Sequence, residues 1–396
     1  MSEIRNPRQA AMRFIVCLGF VSLFADMTYE GAYSITGPFL KGLGASALQV
    51  GFIAGFGEMI AASLRYFSGK FADRTRAYWS IVTFGYVLNL IAVPLLAFAG
   101  NWQAAALLIV VERTGKAMRG PARDVLLSAA TKEVGHGWGF GIHAAMDQTG
   151  AVLGPLLMVA AVAHFKGFGL AFLPLAVPAL LALISIIAAH AVFPAQVAPP
   201  TPPAPRELPS VFWSYVAAAG LLACGFIDFP ILSYHMQSSG VVKQEVIPLL
   251  YAGAMAMVGA SALLFGRLYD RFGIVVLAWG ILISMLTLPL GFLGGQTAMV
   301  FAVACWGIGI GIQDATLRAG IAQVVSMNKR GAAFGAFNGI YGVSWFFGSV
   351  IMGWLYAKSI PVLVGFGVVA QLAAAAWFFW LRRPLAVAVA ENAQDG

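Results

Sequence analysis

Eight ionisable side chains lie near the middle of long apolar stretches of this 396-residue chain. An ionisable group in a membrane interior is costly, so it is retained chiefly where it faces a cavity or a partner. Buried carboxyl groups can bind protons or cations, and an arginine that approaches or leaves a carboxylate changes its affinity for protons. The acids exceed the arginines by four (6 minus 2), which predicts a cavity that disfavours anions. The eight are Asp26, Glu30, Glu58, Glu112, Asp147 and Asp228 with Arg65 and Arg113.

Two acidic helix faces form the leading candidate site. Asp26 and Glu30 are four residues apart and therefore share a helical face. Asp228 lies at a similar depth, with Cys224 and His235 on the same stripe. We expect these acids to form a substrate or proton site, the alternative being hydrogen bonds that only hold helix ends together. Their mixed oxygen, sulfur and nitrogen ligands also allow a transition-metal site made of all five residues.

The other membrane charges have coupling and structural interpretations. Four of these charges have two interpretations. They form either a buried network that lowers the free-energy cost of burying each charge, or a relay that couples proton release to gating with Arg113 as the switch. The four are Glu58, Arg65, Glu112 and Arg113. Asp147 shares a stripe with glycines, which predicts a position in or beside a tight helix interface. His143, near the end of that helix, is interpreted as an interfacial group.

The composition specifies the elements that hold these residues. Apolar residues make up 60% of the chain and charged residues 10%, and the mean hydropathy is +0.84, which excludes a soluble enzyme. Twelve runs are long enough to cross about 30 Å of hydrocarbon as helices, and they lack the alternation of barrel strands. The predicted spans are 13–40, 47–70, 78–100, 103–123, 138–164, 168–193, 210–236, 246–269, 274–294, 297–325, 332–357 and 360–381.

The basic residues of the predicted loops orient these spans. One set of predicted loops and tails holds 18 Lys and Arg residues, among them Lys116, Arg119 and Arg123 at the end of span four, and the other set holds 4. Because positive residues collect in cytoplasmic loops, both termini are predicted to be cytoplasmic. The net charge of +8 therefore reflects topology and does not indicate a nucleic-acid partner.

The chain also contains a duplication. The proline-rich segment 194–209 predicts a cytoplasmic linker between six-helix bundles at 1–193 and 210–396. Gly69-Lys-Phe-Ala-Asp73-Arg74 recurs 197 positions later as Gly266-Arg-Leu-Tyr-Asp270-Arg271. Gly154 recurs 194 positions later as Gly348. Repeated halves around a midplane site are typical of secondary transporters.

Twelve spans, a central linker and a G-x-x-x-D-R loop in each half resemble the major facilitator superfamily over essentially the whole chain. The resemblance implies an all-α membrane protein of two pseudo-symmetric six-helix bundles whose central cleft opens alternately to either side. It also implies a gating role for both loops, the alternative being simple interfacial anchoring. Gly150-x-x-x-Gly154-Pro155 resembles the motif of the family's antiporters. The loop residues concerned are Gly69, Asp73, Arg74, Asp270 and Arg271.

These patterns predict a proton-coupled secondary transporter of the inner membrane, an exporter by antiport of a cationic or neutral small molecule, with a metal ion or chelate as one variant. One alternative is uptake of an organic acid that pairs with Arg113, and another is a membrane receptor or scaffold that transports nothing. Motifs of hydrolases and nucleotide-binding proteins are absent from the sequence, so no enzymatic activity and no cofactor are expected. The expected partners are the substrate, protons and lipid, and the expected state is a monomer.

Overall fold

The computed structural model describes residues 7–131, 134–192, 208–325 and 330–394. Long apolar runs fold as helices because a bilayer offers no partner for unpaired backbone groups. The helices in these residues are α1 Pro7–Gly42, α2 Ala47–Thr75, α3 Tyr78–Leu95, α4 Trp102–Thr131, α5 His136–Phe165, α6 Ala176–Val192, α7 Ser210–Gly225, α8 Phe229–Ser239, α9 Val246–Phe272, α10 Val275–Ser284, α11 Thr287–Leu293, α12 Gln296–Val324, α13 Arg330–Lys358 and α14 Ile360–Gln394.

These helices confirm the predicted all-α membrane fold. Eleven segments of the described chain are long and apolar enough to cross a membrane. The predicted fourth span, α4, is 30 residues or about 45 Å long, but it carries six charged side chains. Predicted spans seven and nine are each divided into two helices, α7 with α8 and α10 with α11. The break in span seven precedes Pro230, which has no N–H to donate and whose ring clashes with the carbonyl four residues earlier.

The chain divides into two compact units. The first unit contains Met1–Gly44, Leu64–Pro200 and Gln244–Ala252, and the second contains Ala45–Ser63, Thr201–Lys243 and Gly253–Gly396. Both α2 and α9 therefore contribute residues to each unit. The predicted linker, apart from its last two residues, lies outside the described residues, so the proposed domain boundary stays a prediction.

Glycines bring the helices of each unit close together. In the first unit α1 packs against α5 and α6, and α3 packs against α4. A methyl group added at Gly150 or Gly154 of α5 would overlap the backbone of α1 at Leu23 or Met27. In the second unit α7 packs against α13 and α14, and a methyl group at Gly348 would overlap the backbone of Cys224. The repeated Gly154 and Gly348 therefore have the same packing role in their respective units.

Candidate functional site

Four basic side chains follow one another along α4: Arg113, Lys116, Arg119 and Arg123. Their spacing of three or four residues puts them on one side of the helix. Arg113 and Arg119 are only 7% and 2% exposed. The assignment of Lys116, Arg119 and Arg123 to a loop is therefore wrong, because α4 continues to Thr131 and these cations have acids and aromatic rings of the first unit as neighbours. The side of the membrane on which they lie stays a prediction.

Glu30 of α1 is bound on both carboxylate oxygens. Its Oε1 lies 3.5 Å from Nζ of Lys116 on α4. Its Oε2 accepts a hydrogen bond of 2.6 Å from the hydroxyl of Tyr251, near the start of α9. The Lys116 ammonium also lies 3.7 Å from the centre of the Tyr29 ring, a distance typical of a cation–π contact. Glu30 thus joins three helices of the first unit.

Asp26 lies one turn before Glu30 and is 3% exposed. Its carboxylate accepts a hydrogen bond from the Tyr29 hydroxyl. No Lys or Arg of the described residues lies within ion-pair distance of it, although Lys116 is close enough to interact electrostatically. The Arg119 guanidinium lies 5.5 Å from the Tyr29 ring and 4.1 Å from the Tyr86 ring. Its Nε and Nη1 atoms have no hydrogen-bond acceptor among the described residues.

A second acid–base pair lies nearer the start of α4. Glu112 Oε1 accepts a hydrogen bond of 2.7 Å from Asn89 of α3, and its Oε2 lies 3.3 Å from Nε of Arg113. Arg113 also lies over the Tyr33 ring of α1 at 4.8 Å. We call the following six residues the α1–α4 charge cluster: Asp26, Glu30, Glu112, Arg113, Lys116 and Arg119.

Helix α3 also contributes to this cluster. It supplies Asn89 and Tyr86, which sequence reasoning missed. The predicted roles of Glu58 and Arg65 on α2 stay predictions. The available signal was Asn89, which is the only charged or amide side chain of α3.

Asp147 lies on α5, one turn before Gly150, at the tight interface with α1. Its Oδ1 accepts a hydrogen bond of 2.6 Å from Ser22 of α1. Ser22 in turn lies 3.4 Å from Nη1 of Arg123. His143, one turn before Asp147, is 6% exposed, and its Nε2 has no hydrogen-bond partner among the described residues. The predicted position of Asp147 beside a close helix contact is confirmed.

Further charges of α4 accompany those predicted within the spans. Lys116, Arg119 and Arg123 lie among residues of the first unit, and Asp124 lies 3.0 Å from Arg123. The predicted acidic excess of the cavity stays a prediction. The apolar run of α4 ends before these cations, so the sequence pattern assigned them to a loop.

Asp228 occupies the break between α7 and α8 in the second unit. It is fully buried, and its Oδ2 accepts hydrogen bonds from Trp345 at 3.1 Å and Ser349 at 3.2 Å. Side chains also bind the carbonyls that the break leaves without helical partners. Trp306 donates to Ile227, and Gln371 donates to Gly225, both at 2.9 Å. Asp228 is thus part of a hydrogen-bonded support for a broken helix.

The residues of the predicted metal site lie in both units. Nδ1 of His235 lies 3.0 Å from the hydroxyl of Tyr356, so this nitrogen already has a partner. Within the described parts of the chain, no three His, Cys, Asp or Glu side chains lie together as a metal site requires. The metal interpretation of Asp26, Glu30, Cys224, Asp228 and His235 stays a prediction.

The duplicated loops contain local contacts. In the first unit Gly69 lies beside Pro121 of α4, and Asp73 accepts a hydrogen bond of 3.0 Å from Tyr78 at the start of α3. In the second unit the Arg271 guanidinium lies 5.1 Å from the Phe272 ring. Gating by Asp73, Arg74, Asp270 and Arg271 stays a prediction.

Relatives of the chain cover almost its whole length. The sequence profile of the Major Facilitator Superfamily matches residues 16–274 and 216–395. An uncharacterized protein of Mycobacterium tuberculosis is 39% identical over 96% of this chain and 95% of its own length. An uncharacterized MFS-type transporter of Methanocaldococcus jannaschii is 24% identical over 92% and 93%. The multidrug resistance protein MdtH of Photorhabdus laumondii is 29% identical over 40% of this chain and 38% of its own.

Solved structures share the fold. A crystal structure of a mutant form of the nucleoside transporter NupG superposes with a TM-score of 0.76, covering 92% of this chain and all of the NupG chain at 14% sequence identity. An identity this low supports similarity of fold only.

Proposed function

Because the chain belongs to the Major Facilitator Superfamily, we propose that it is a proton-coupled secondary transporter whose coupling acids lie in the α1–α4 charge cluster. Family membership makes it a multi-pass membrane transporter of a small molecule rather than an enzyme. Proton coupling, export and the nature of the substrate are the proposed parts.

Asp26 is the observation that carries the proposal. An ionised carboxylate without a counter-ion is costly in a buried site. The Tyr29 hydroxyl binds Asp26, while the Lys116 ammonium, which is close enough to interact with Asp26, pairs with Glu30 instead. A proton that leaves Asp26 therefore requires a rearrangement of nearby groups, and Lys116 and Arg119 are the cations available to compensate the new charge. A helix movement linked to a change of protonation is what coupling requires.

The proposed substrate is cationic or neutral, because Asp26 has no ion-pair partner among the described residues while Lys116 pairs with Glu30. The Arg113 guanidinium is paired with Glu112, so no observation favours the organic-acid alternative. Export is supported by the partial similarity to proteins named for multidrug resistance and by the antiporter-like glycines of α5.

The test begins with a ligand. Purified protein is screened for thermal stabilisation by nucleosides, lipophilic amines and organic acids, since a ligand at 100 times its Kd adds about 2.7 kcal/mol. The compound found is then used for flux measurements in proteoliposomes, normalised to folded protein. We expect Asp26→Asn to abolish accumulation driven by a pH gradient while retaining exchange of the compound across the membrane.

Asp124→Asn is the control. It makes the same chemical change at a carboxylate of the first unit whose side chain is 56% exposed and which lies outside the charge cluster. We expect this variant to keep gradient-driven flux. Full gradient-driven flux in Asp26→Asn would contradict the assignment of Asp26.

A further inference from the structure

Tyr251 brings a side chain from the second half of the sequence into the α1–α4 charge cluster. It lies in the first turns of α9, within the segment Gln244–Ala252 that belongs to the first unit, whereas α9 from Gly253 onward belongs to the second. Its side chain is 2% exposed, and its ring centre lies 5.8 Å from that of Tyr33. Its hydroxyl donates the 2.6 Å hydrogen bond to Glu30.

The strength of this hydrogen bond depends on the charge of Glu30. A hydrogen bond to an ionised carboxylate is about twice as strong as one between neutral groups. Among the described residues, the charged and titratable groups near Glu30 include Asp26, Tyr29 and Tyr33 on α1, Lys116 on α4 and Tyr251 on α9. Among them, Tyr251 alone comes from a helix that is shared between the two units.

We infer that Tyr251 is a positioning residue for transport, through which the start of α9 is held by the ionised form of Glu30. Neutralisation of Glu30, by a proton or by a bound cation, weakens this hold and releases the first turns of α9. The inference rests on the proposed function, because it supplies a route from the charge of a coupling acid to the movement of a helix.

The test measures release of this segment without any substrate. Ala252 lies next to Tyr251 and is 3% exposed, so Ala252→Cys reports when the segment leaves its packed position. The three native cysteines are replaced by alanine, and the rate of reaction with N-ethylmaleimide is measured on purified protein at fixed pH. The reaction rate follows the fraction of molecules in which this segment is released. Loss of a hydrogen bond to a charged group raises that fraction, and therefore the rate, by about tenfold to a hundredfold.

We expect this increase in Tyr251→Phe, which removes only the hydroxyl, and in Glu30→Ala. Glu30→Gln keeps a neutral acceptor and should fall between these variants and wild type. Tyr215→Phe is the matched control. It removes the 2.9 Å hydrogen bond from a Tyr hydroxyl that is equally buried in the second unit, bound to the Leu317 carbonyl, and it should react like wild type.

The double variant separates positioning from general packing. If one hydrogen bond causes the effect, the variant that combines Tyr251→Phe with Glu30→Ala reacts no faster than the faster single variant. If the two substitutions disturb packing independently, their fold-increases in reaction rate multiply. Multiplying effects, or a Tyr251→Phe rate equal to wild type, would overturn the inference. Flux measurements test the proposed function separately. If Asp26→Asn loses gradient-driven flux but Tyr251→Phe reacts with N-ethylmaleimide at the wild-type rate, only the role of Tyr251 is rejected. If Asp26→Asn keeps gradient-driven flux but Tyr251→Phe reacts faster than wild type, only proton coupling through Asp26 is rejected.

Discussion

Lys116→Gln tests whether the cations of α4 are buried partners or members of a cytoplasmic loop. The substitution keeps most of the side-chain length but removes the charge that lies 3.5 Å from Glu30. In a loop the loss of one lysine changes stability by a few tenths of a kcal/mol, as is usual for surface positions. In the packed unit it leaves Glu30 bound only by neutral groups.

The expected magnitude follows from the geometry. Two unit charges 3.5 Å apart attract each other by about 5 kcal/mol at an effective dielectric constant of about 20, before desolvation is subtracted. Removing one member of a buried pair costs about 3–5 kcal/mol. The Lys116 and Glu30 side chains retain 21% and 17% exposure, which screens them in part. We therefore expect Lys116→Gln to lower the free energy of unfolding by about 2–3 kcal/mol.

A double-mutant cycle isolates the pair. Unfolding is followed by titration with a denaturing detergent for wild type, Lys116→Gln, Glu30→Gln and the double variant. We expect a coupling energy of about 2 kcal/mol, because the double variant leaves no unpaired charge. Asp124 pairs with Arg123 at 3.0 Å, but its side chain is 56% exposed, so Asp124→Asn should change stability by less than about 0.5 kcal/mol. Additive single effects, or a wild-type stability of Lys116→Gln, would refute the buried pair.

Two further predictions concern packing and topology. Gly150→Ala should destabilise the protein by about 1–3 kcal/mol because its methyl group overlaps the Leu23 backbone. A methyl group added at Gly141 meets nothing within 4 Å, so Gly141→Ala should be neutral or slightly stabilising in the same detergent titration. An impermeant thiol reagent added outside intact cells should label cysteine at Lys166 or Lys358 but not at Arg271, and the opposite pattern would reverse the predicted orientation.

Sequence reasoning predicted the features that depend on pattern alone. Continuous apolar runs gave the helical spans, and repeated motifs gave the correspondence of Gly154 and Gly348. Asp26 and Glu30 were found because a charge in an apolar run is exceptional whatever its partner. The partners themselves lie far away in sequence: Glu30 meets Lys116 and Tyr251, which are 86 and 221 positions away. No local pattern specifies such pairs.

The errors on α4 have one physical cause. Hydropathy describes a residue as though it faced lipid, so Lys116, Arg119 and Arg123 marked the end of a span. Each of these cations instead has acids or aromatic rings of the first unit as neighbours, and the helix continues through them. Local spacing was misleading in span seven as well. The stripe of Cys224, Asp228 and His235 assumed a continuous helix, but the chain breaks before Pro230.

The two units show how similar packing can support different chemistry. Gly85 of α3 lies against Gly115 and Arg119 of α4, and Gly280 of α10, 195 positions later, lies against Ile312 of α12. One turn after these glycines, Asn89 binds the carboxylate of Glu112, whereas Ser284 binds the neutral Gln371. Gln371 in turn supports the carbonyl of Gly225 at the break in span seven. The duplicated helix contact thus holds charges in the first unit and a broken helix in the second. Because a break without continuous backbone hydrogen bonds allows a helix to bend, we expect span seven to bend between Gly225 and Phe229.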